Sequence, residues 1–101
     1  MAFVKVGKTE DVPAGTAKVY EVGDRAIAVC NVDGTFYAID DVCTHDEASL
    51  EQGFLSGYEI ECPRHGACFD VRTGDVTALP AVVPIDTFPV RVEGDDIELD
   101  V

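Results

Sequence analysis

The chain has 101 residues, 47% of them apolar, which suits one domain around one modest core. Seven basic residues stand against twenty acidic ones, for a formal charge of −13. Phosphate binding needs clustered Lys and Arg, so nucleic acid and anionic membrane surfaces are poor partners; such acidity serves solubility or, more specifically, long-range steering toward a basic protein.

The opening stretch MAFVKVGKTEDVPAG lacks the n-region, h-region and cleavage site of a signal peptide. No run approaches the ~18 apolar residues of a membrane span. The expectation is a cytoplasmic protein whose thiols stay reduced. Four cysteines then argue for metal binding or catalysis, not for a disulfide framework.

Along the chain, short β-rich runs separated by turn signals predict an all-β sandwich or barrel. FVKV (Phe3 to Val6) reads as the first strand, and KTEDVP as one helical turn capped by Thr9. TAKVYEV alternates like a half-buried strand and turns at Gly23-Asp24. AIAVCNV is apolar on both faces, which places it in the middle of a sheet. In NVDGTFYAI, Asp33-Gly34 between β-rich runs is a strong hairpin signal.

From Asp40 to about Gly57 the pattern stops, leaving a long loop with at most one helical turn around Glu47 to Leu50. Long structureless loops in compact domains are usually functional. YEIEC and ACFDV restore strands, RTGD is a tight turn and LPAVVP a proline-bounded loop. DTFPVRV and DIELDV close the chain as a hairpin over EGDD. Cys43 and Cys62 thus sit at the mouths of two loops on a small β scaffold.

The stretch from Cys43 to Asp70 holds both histidines and three of the four cysteines, with the pairs Cys43-x-His45 and Cys62-x-x-His65 separated by sixteen residues. Thiolate and imidazole together bind zinc, copper or iron. Zinc fingers pair Cys with Cys and His with His, whereas here each short pair is mixed. Blue copper wants an axial Met, and the only methionine is Met1. A Cys–His nucleophile pair leaves the second copy unexplained. A two-iron centre in which two His replace two Cys on one iron explains the duplication, each loop giving one ligand to each iron.

The segments CTHDEASLEQG and CPRHGACFDVRTG resemble the Rieske signature C-x-H … C-x-x-H-G. The likeness extends through NVDGTFYAIDDVCTH and FDVRTGDVT, about sixty residues in all. In length and character the chain is most similar to the small Rieske ferredoxins of bacterial aromatic-ring dioxygenases. The resemblance implies one [2Fe–2S] cluster with Cys43, His45, Cys62 and His65 as ligands, the imidazoles binding through Nδ1. It implies the Rieske fold as a single domain over residues 1–101: an antiparallel β-sandwich or barrel base with a cluster-binding subdomain over approximately 41–77. A third loop, LPAVVP, is expected to cover the cluster.

Other residues take plainer readings. Cys30, in a doubly apolar strand, reads as a small hydrophobe. Cys68 reads as a structural thiol, because reactive cysteines need an electropositive, exposed setting. Gly53, Gly57 and Gly66 serve backbone positions that a side chain would block, and Gly66 and its neighbours offer N–H groups to cluster sulfurs. Pro63 stiffens its loop. Arg64 reads equally as an ion-pair partner or a solvated side chain.

An oxygenase needs a further two-His-one-carboxylate iron site, and both histidines are already spent on the cluster. A flavin reductase needs a G-x-G-x-x-G nucleotide domain, which is absent. The expected function is therefore one-electron carriage, without catalysis, from an NAD(P)H-dependent flavin reductase (the ferredoxin reductase) to a terminal Rieske non-haem iron oxygenase. The chain is expected to work as a monomer. The loop tips around His45, His65 and Pro80 are expected to dock, with Asp46 and Glu47 steering basic partners. A Rieske-like small subunit of a nitrite reductase and a structural zinc module are the rival readings. High-potential Rieske proteins carry a disulfide between the cluster loops and a serine near a cluster sulfur. Ala48, Arg64 and Ala67 occupy those positions here, so the resemblance implies a potential near the low end of the range, about −150 mV.

Overall fold

The computed structural model describes residues 3–41, 53–62, 66–78 and 84–100. The strands are β1 (Phe3–Lys8), β2 (Ala17–Val22), β3 (Arg25–Val32), β4 (Thr35–Asp40), β5 (Phe54–Ser56), β6 (Glu59–Glu61), β7 (Cys68–Asp70), β8 (Val76–Ala78), β9 (Thr87–Phe88), β10 (Val90–Glu93) and β11 (Asp96–Asp100). They form three antiparallel sheets, ordered β1-β11-β10, β2-β3-β4-β9 and β5-β6-β7-β8. No helix among the described residues is long and apolar enough to cross a membrane.

The residue pattern of β3 decides the layering. Successive side chains of a strand point to opposite faces, and in β3 every residue from Ile27 to Val32 is buried. Ile27 and Val29 pack with Ala38 against Ile97 and Leu99 of β11. Ala28, Cys30 and Val32 pack with Ile39 against Ile60 of β6 and Phe69 of β7. The β2-β3-β4-β9 sheet is therefore the middle layer, with the β1-β11-β10 sheet on one face and the β5-β6-β7-β8 sheet on the other. Its apolarity at both parities has that cause.

The turns match their residues. Asp33 and Gly34, between Val32 and Thr35, both have positive φ (51° and 91°), as the two-residue hairpin turn read from the sequence requires. The buried Asn31 braces this turn. Its Oδ1 accepts from the Gly34 N–H at 2.7 Å, and its Nδ2 donates to the Val12 carbonyl at 2.7 Å. Two-residue turns also join Val22 to Arg25 and Glu93 to Asp96, where expected.

Four local readings need correction. Phe54–Ser56 is a strand inside the stretch read as structureless; Phe54 is exposed and only Leu55 turns inward, so three residues carry no legible alternation. Val76–Ala78 likewise forms an unanticipated edge strand. DTFPVRV is not one strand: Pro89, which has no N–H for a ladder, divides β9, paired to β4, from β10, paired to β11. Thr9 does not cap the 3-10 turn but begins it (Thr9–Asp11), and the Asp11 carboxylate accepts from the Lys8 N–H at 3.1 Å. The helical turn suggested at Glu47 to Leu50 and most of LPAVVP lie outside the described residues.

Candidate metal centre

The β6–β7 hairpin is the described part of the site. Glu61 pairs with Cys68 as the last rung. Beyond it, the Cys62 N–H donates to the Ala67 carbonyl at 2.7 Å and the Gly66 N–H to the Cys62 carbonyl at 3.3 Å. These two bonds tie Cys62 to Gly66 and Ala67 across the end of the hairpin. Cys62 and Ala67 are fully buried and share the core beneath the loop with Ile60 and Phe69. Gly66 has φ +77°, and a Cβ built on it meets nothing closer than the Glu61 carboxylate at 3.9 Å. Glycine is thus required for its left-handed backbone, not for want of space. The same holds at Gly57, with φ +58° and open surroundings.

Of the four expected ligands, the structure places Cys62 at the exit of β6; Cys43, His45 and His65 lie outside the described residues. The expected donor set of two thiolates and two imidazoles fits a two-iron cluster, and Cys62 itself is buried and held by two backbone hydrogen bonds. Two further cysteines, Cys30 and Cys68, lie among the described residues. Burial pushes the Cys30 thiol up to about 12, with the Asp41 charge adding to it. Burial and then the Glu61 and Glu59 charges push Cys68 up, and its Sγ lies 3.4 Å from the Gly66 carbonyl oxygen. Among the described residues no three His, Cys, Asp or Glu side chains gather where they could hold a metal.

Two fixtures around the hairpin escaped the sequence reading. The β7–β8 turn is clamped to the return leg of the third loop: the Ile85 N–H donates to the Gly74 carbonyl at 2.9 Å, with Gly74 at φ +81°. A Cβ on Gly74 would overlap the Ile85 carbonyl oxygen, so this glycine does serve a blocked position. The second fixture starts from Arg72, whose guanidinium forks onto Asp70 (3.1 and 2.8 Å) and lies 4.0 Å from the Tyr58 ring centre. Tyr58 meets Tyr37 of β4 edge to face at 6.2 Å, linking the hairpin sheet to the middle layer. The Arg72 hydrogen bonds hold the Asp70 carboxyl below the usual carboxylate range. RTGD announced only a turn; nothing local signals its partners.

With this geometry in place, the comparisons are direct. The Rieske [2Fe-2S] domain family matches residues 2–89. The ferredoxin component of biphenyl 2,3-dioxygenase from Rhodococcus jostii (strain RHA1) is 44% identical over 100 residues, covering 99% of this chain and 94% of that protein. The ferredoxin of carbazole 1,9a-dioxygenase from Nocardioides aromaticivorans IC177 superposes with a TM-score of 0.93 at 36% identity, covering 98% of this chain and 97% of the other. A ferredoxin solved in complex with the reduced oxygenase of carbazole 1,9a-dioxygenase gives 0.90 at 40% identity, covering 96% and 91%.

Proposed function

Because this chain belongs to the Rieske [2Fe-2S] family, as a ferredoxin carrying one [2Fe–2S] cluster, we propose that it delivers electrons singly to a terminal oxygenase after receiving them from an NAD(P)H-dependent flavin reductase. Cys43 and Cys62, as thiolates, and His45 and His65, as neutral imidazoles, would hold the cluster. The bound cluster supplies a one-electron couple near neutral pH. The protein supplies position and environment. Backbone bonds fix the Cys62 end of the second loop, and the Gly74–Ile85 clamp fixes the base of the third. Ala67 contributes a methyl group and no hydroxyl, and the surrounding carboxylates oppose an added electron; both push the potential toward about −150 mV, the low end of the range.

The observation that carries this reading is the likeness, at 40% identity and over nearly the whole chain, to a ferredoxin solved together with its oxygenase. We place the chain in the cytoplasm as a monomer that meets reductase and oxygenase in turn through the loop tips around His45, His65 and Pro80. Asp46 and Glu47 steer the approach. Reconstitution tests it: with the reductase and oxygenase components of a biphenyl 2,3-dioxygenase, NADH-dependent product formation is expected to need this chain and to slow as salt rises toward physiological strength. A cluster-loaded protein that the reductase does not reduce sinks the proposal.

A further inference from the structure

The β5-β6-β7-β8 sheet packs Leu55, Ile60 and Phe69 inward and turns its other face away from the core. Register defines that outward face. Phe54 lies opposite Glu61, which lies opposite Cys68; Ser56 lies opposite Glu59, which lies opposite Asp70. Phe54 is 68% exposed, well above any other large apolar side chain among the described residues, the next being Val4 at 45%. A single exposed hydrophobe is ordinary, so its neighbours must decide.

Glu59 and Glu61 are exposed and, among the described residues, engage no cation. Every described cation already has a partner other than Glu59 and Glu61. Lys5 and Lys8 reach Asp96, Arg25 reaches Asp86, Arg72 reaches Asp70 and Arg91 reaches Glu98. Lys18 lies over the Tyr20 ring. Arg72 is held on Asp70 of this same face and is not offered to Glu59 or Glu61, and a second copy at −13 would be repelled from that face. In sequence, Phe54 begins the strand that leaves the first ligand-bearing loop and Glu61 directly precedes Cys62.

We propose that this face is a docking surface for a basic protein partner: Phe54 anchors in an apolar socket, and Glu59 and Glu61 meet the cations around it. The proposal rests on the electron-carrier reading and extends the contact from the loop tips to the sheet beside them. Buried aromatic anchors with satisfied charges around them are how protein interfaces concentrate affinity.

The test compares three variants of the cluster-loaded protein: Phe54→Ala, Glu59→Gln with Glu61→Gln, and a control, Glu10→Gln with Asp95→Asn. The control removes the same two charges from exposed positions at the turn ends of the β1-β11-β10 sheet. Two acceptors are used, the oxygenase component of a biphenyl 2,3-dioxygenase and mitochondrial cytochrome c, a basic one-electron acceptor. With the oxygenase, Phe54→Ala is expected to raise the KM for this chain about fivefold to tenfold at unchanged kcat. The Glu59/Glu61 pair is expected to slow cytochrome c reduction at low salt by about threefold to tenfold, and the control pair by less than about twofold. Equal effects of the two charge pairs, or an unchanged KM for Phe54→Ala, overturn the proposal. If the wild type reduces cytochrome c yet supports no oxygenase turnover, the carrier reading fails for that partner while the cytochrome c comparison still judges the face.

Discussion

Replacing Gly74 with alanine isolates the clamp at the base of the third loop. The residue sits at φ +81°, and left-handed backbone costs a residue with a Cβ about 1–2 kcal/mol. The added methyl group would also overlap the Ile85 carbonyl oxygen and lie 3.1 Å from its carbonyl carbon. Backbone on both sides cannot rotate away as a side chain can, so the segments must part. Parting breaks the 2.9 Å bond from the Ile85 N–H to the Gly74 carbonyl, worth about 1 kcal/mol net. It also exposes part of the Ile85 side chain, now 5% exposed, whose complete burial is worth about 1.5–3 kcal/mol. The sum is about 3–5 kcal/mol. At about 5 °C per kcal/mol for a domain of this size, the apparent melting temperature is expected to fall by about 15–25 °C. Gly94→Ala is the matched control: φ is +62°, nothing lies within 4 Å, and only the conformational cost applies, about 5–10 °C. Circular dichroism melts of both cluster-loaded variants at one scan rate make the comparison. Equal shifts would refute the clamp and leave only the shared left-handed strain.

Three further outcomes follow from the same structure. Asn31→Ala strands the Val12 carbonyl and the Gly34 N–H, which its amide now satisfies, and is expected to cost about 2–4 kcal/mol in urea unfolding. Asp70 and Asp96 are both held below the usual carboxylate range, chiefly by hydrogen bonds from Arg72 and Lys8 respectively. A carboxyl lowered by folding stabilises above its unfolded value of ~3.9, and that contribution is lost as pH falls through the folded value. The gap in urea midpoint between wild type and Asp70→Asn or Asp96→Asn is therefore expected to be widest at neutral pH and to close below about pH 4. Cys30→Ser and Cys68→Ser are expected to keep the visible spectrum while Cys62→Ser loses it. Loss of iron in Cys68→Ser would reassign the ligands.

How far the sequence could be read depended on whether a feature was local. Asp33-Gly34 demanded a hairpin because few residues tolerate two consecutive positive φ values, and the apolar run of β3 demanded burial on both faces. The paired Cys–His spacings are equally local and carry the ligand expectation, and of those four residues only Cys62 falls within the described ones. Short edge strands resisted, since three residues of β5 or β8 are recognised only through their partners. Pro89 was visible, but that it parts two sheets depends on where β4 and β11 lie. The clamp at Gly74, the stack of Arg72 on Tyr58 and the outward row from Phe54 to Cys68 are tertiary: each joins residues whose proximity is set by sheet register and not by spacing.

The claim at the centre is that two imidazoles and two thiolates hold a two-iron cluster. Pulsed electron paramagnetic resonance on the dithionite-reduced protein tests it most directly, because only iron-bound imidazole gives strong nitrogen coupling to the cluster spin. Two distinct nitrogen couplings in the wild type, with one lost in His65→Cys, are the expected result. A paramagnetic cluster without strong nitrogen coupling, or a colourless protein with no signal, would contradict it.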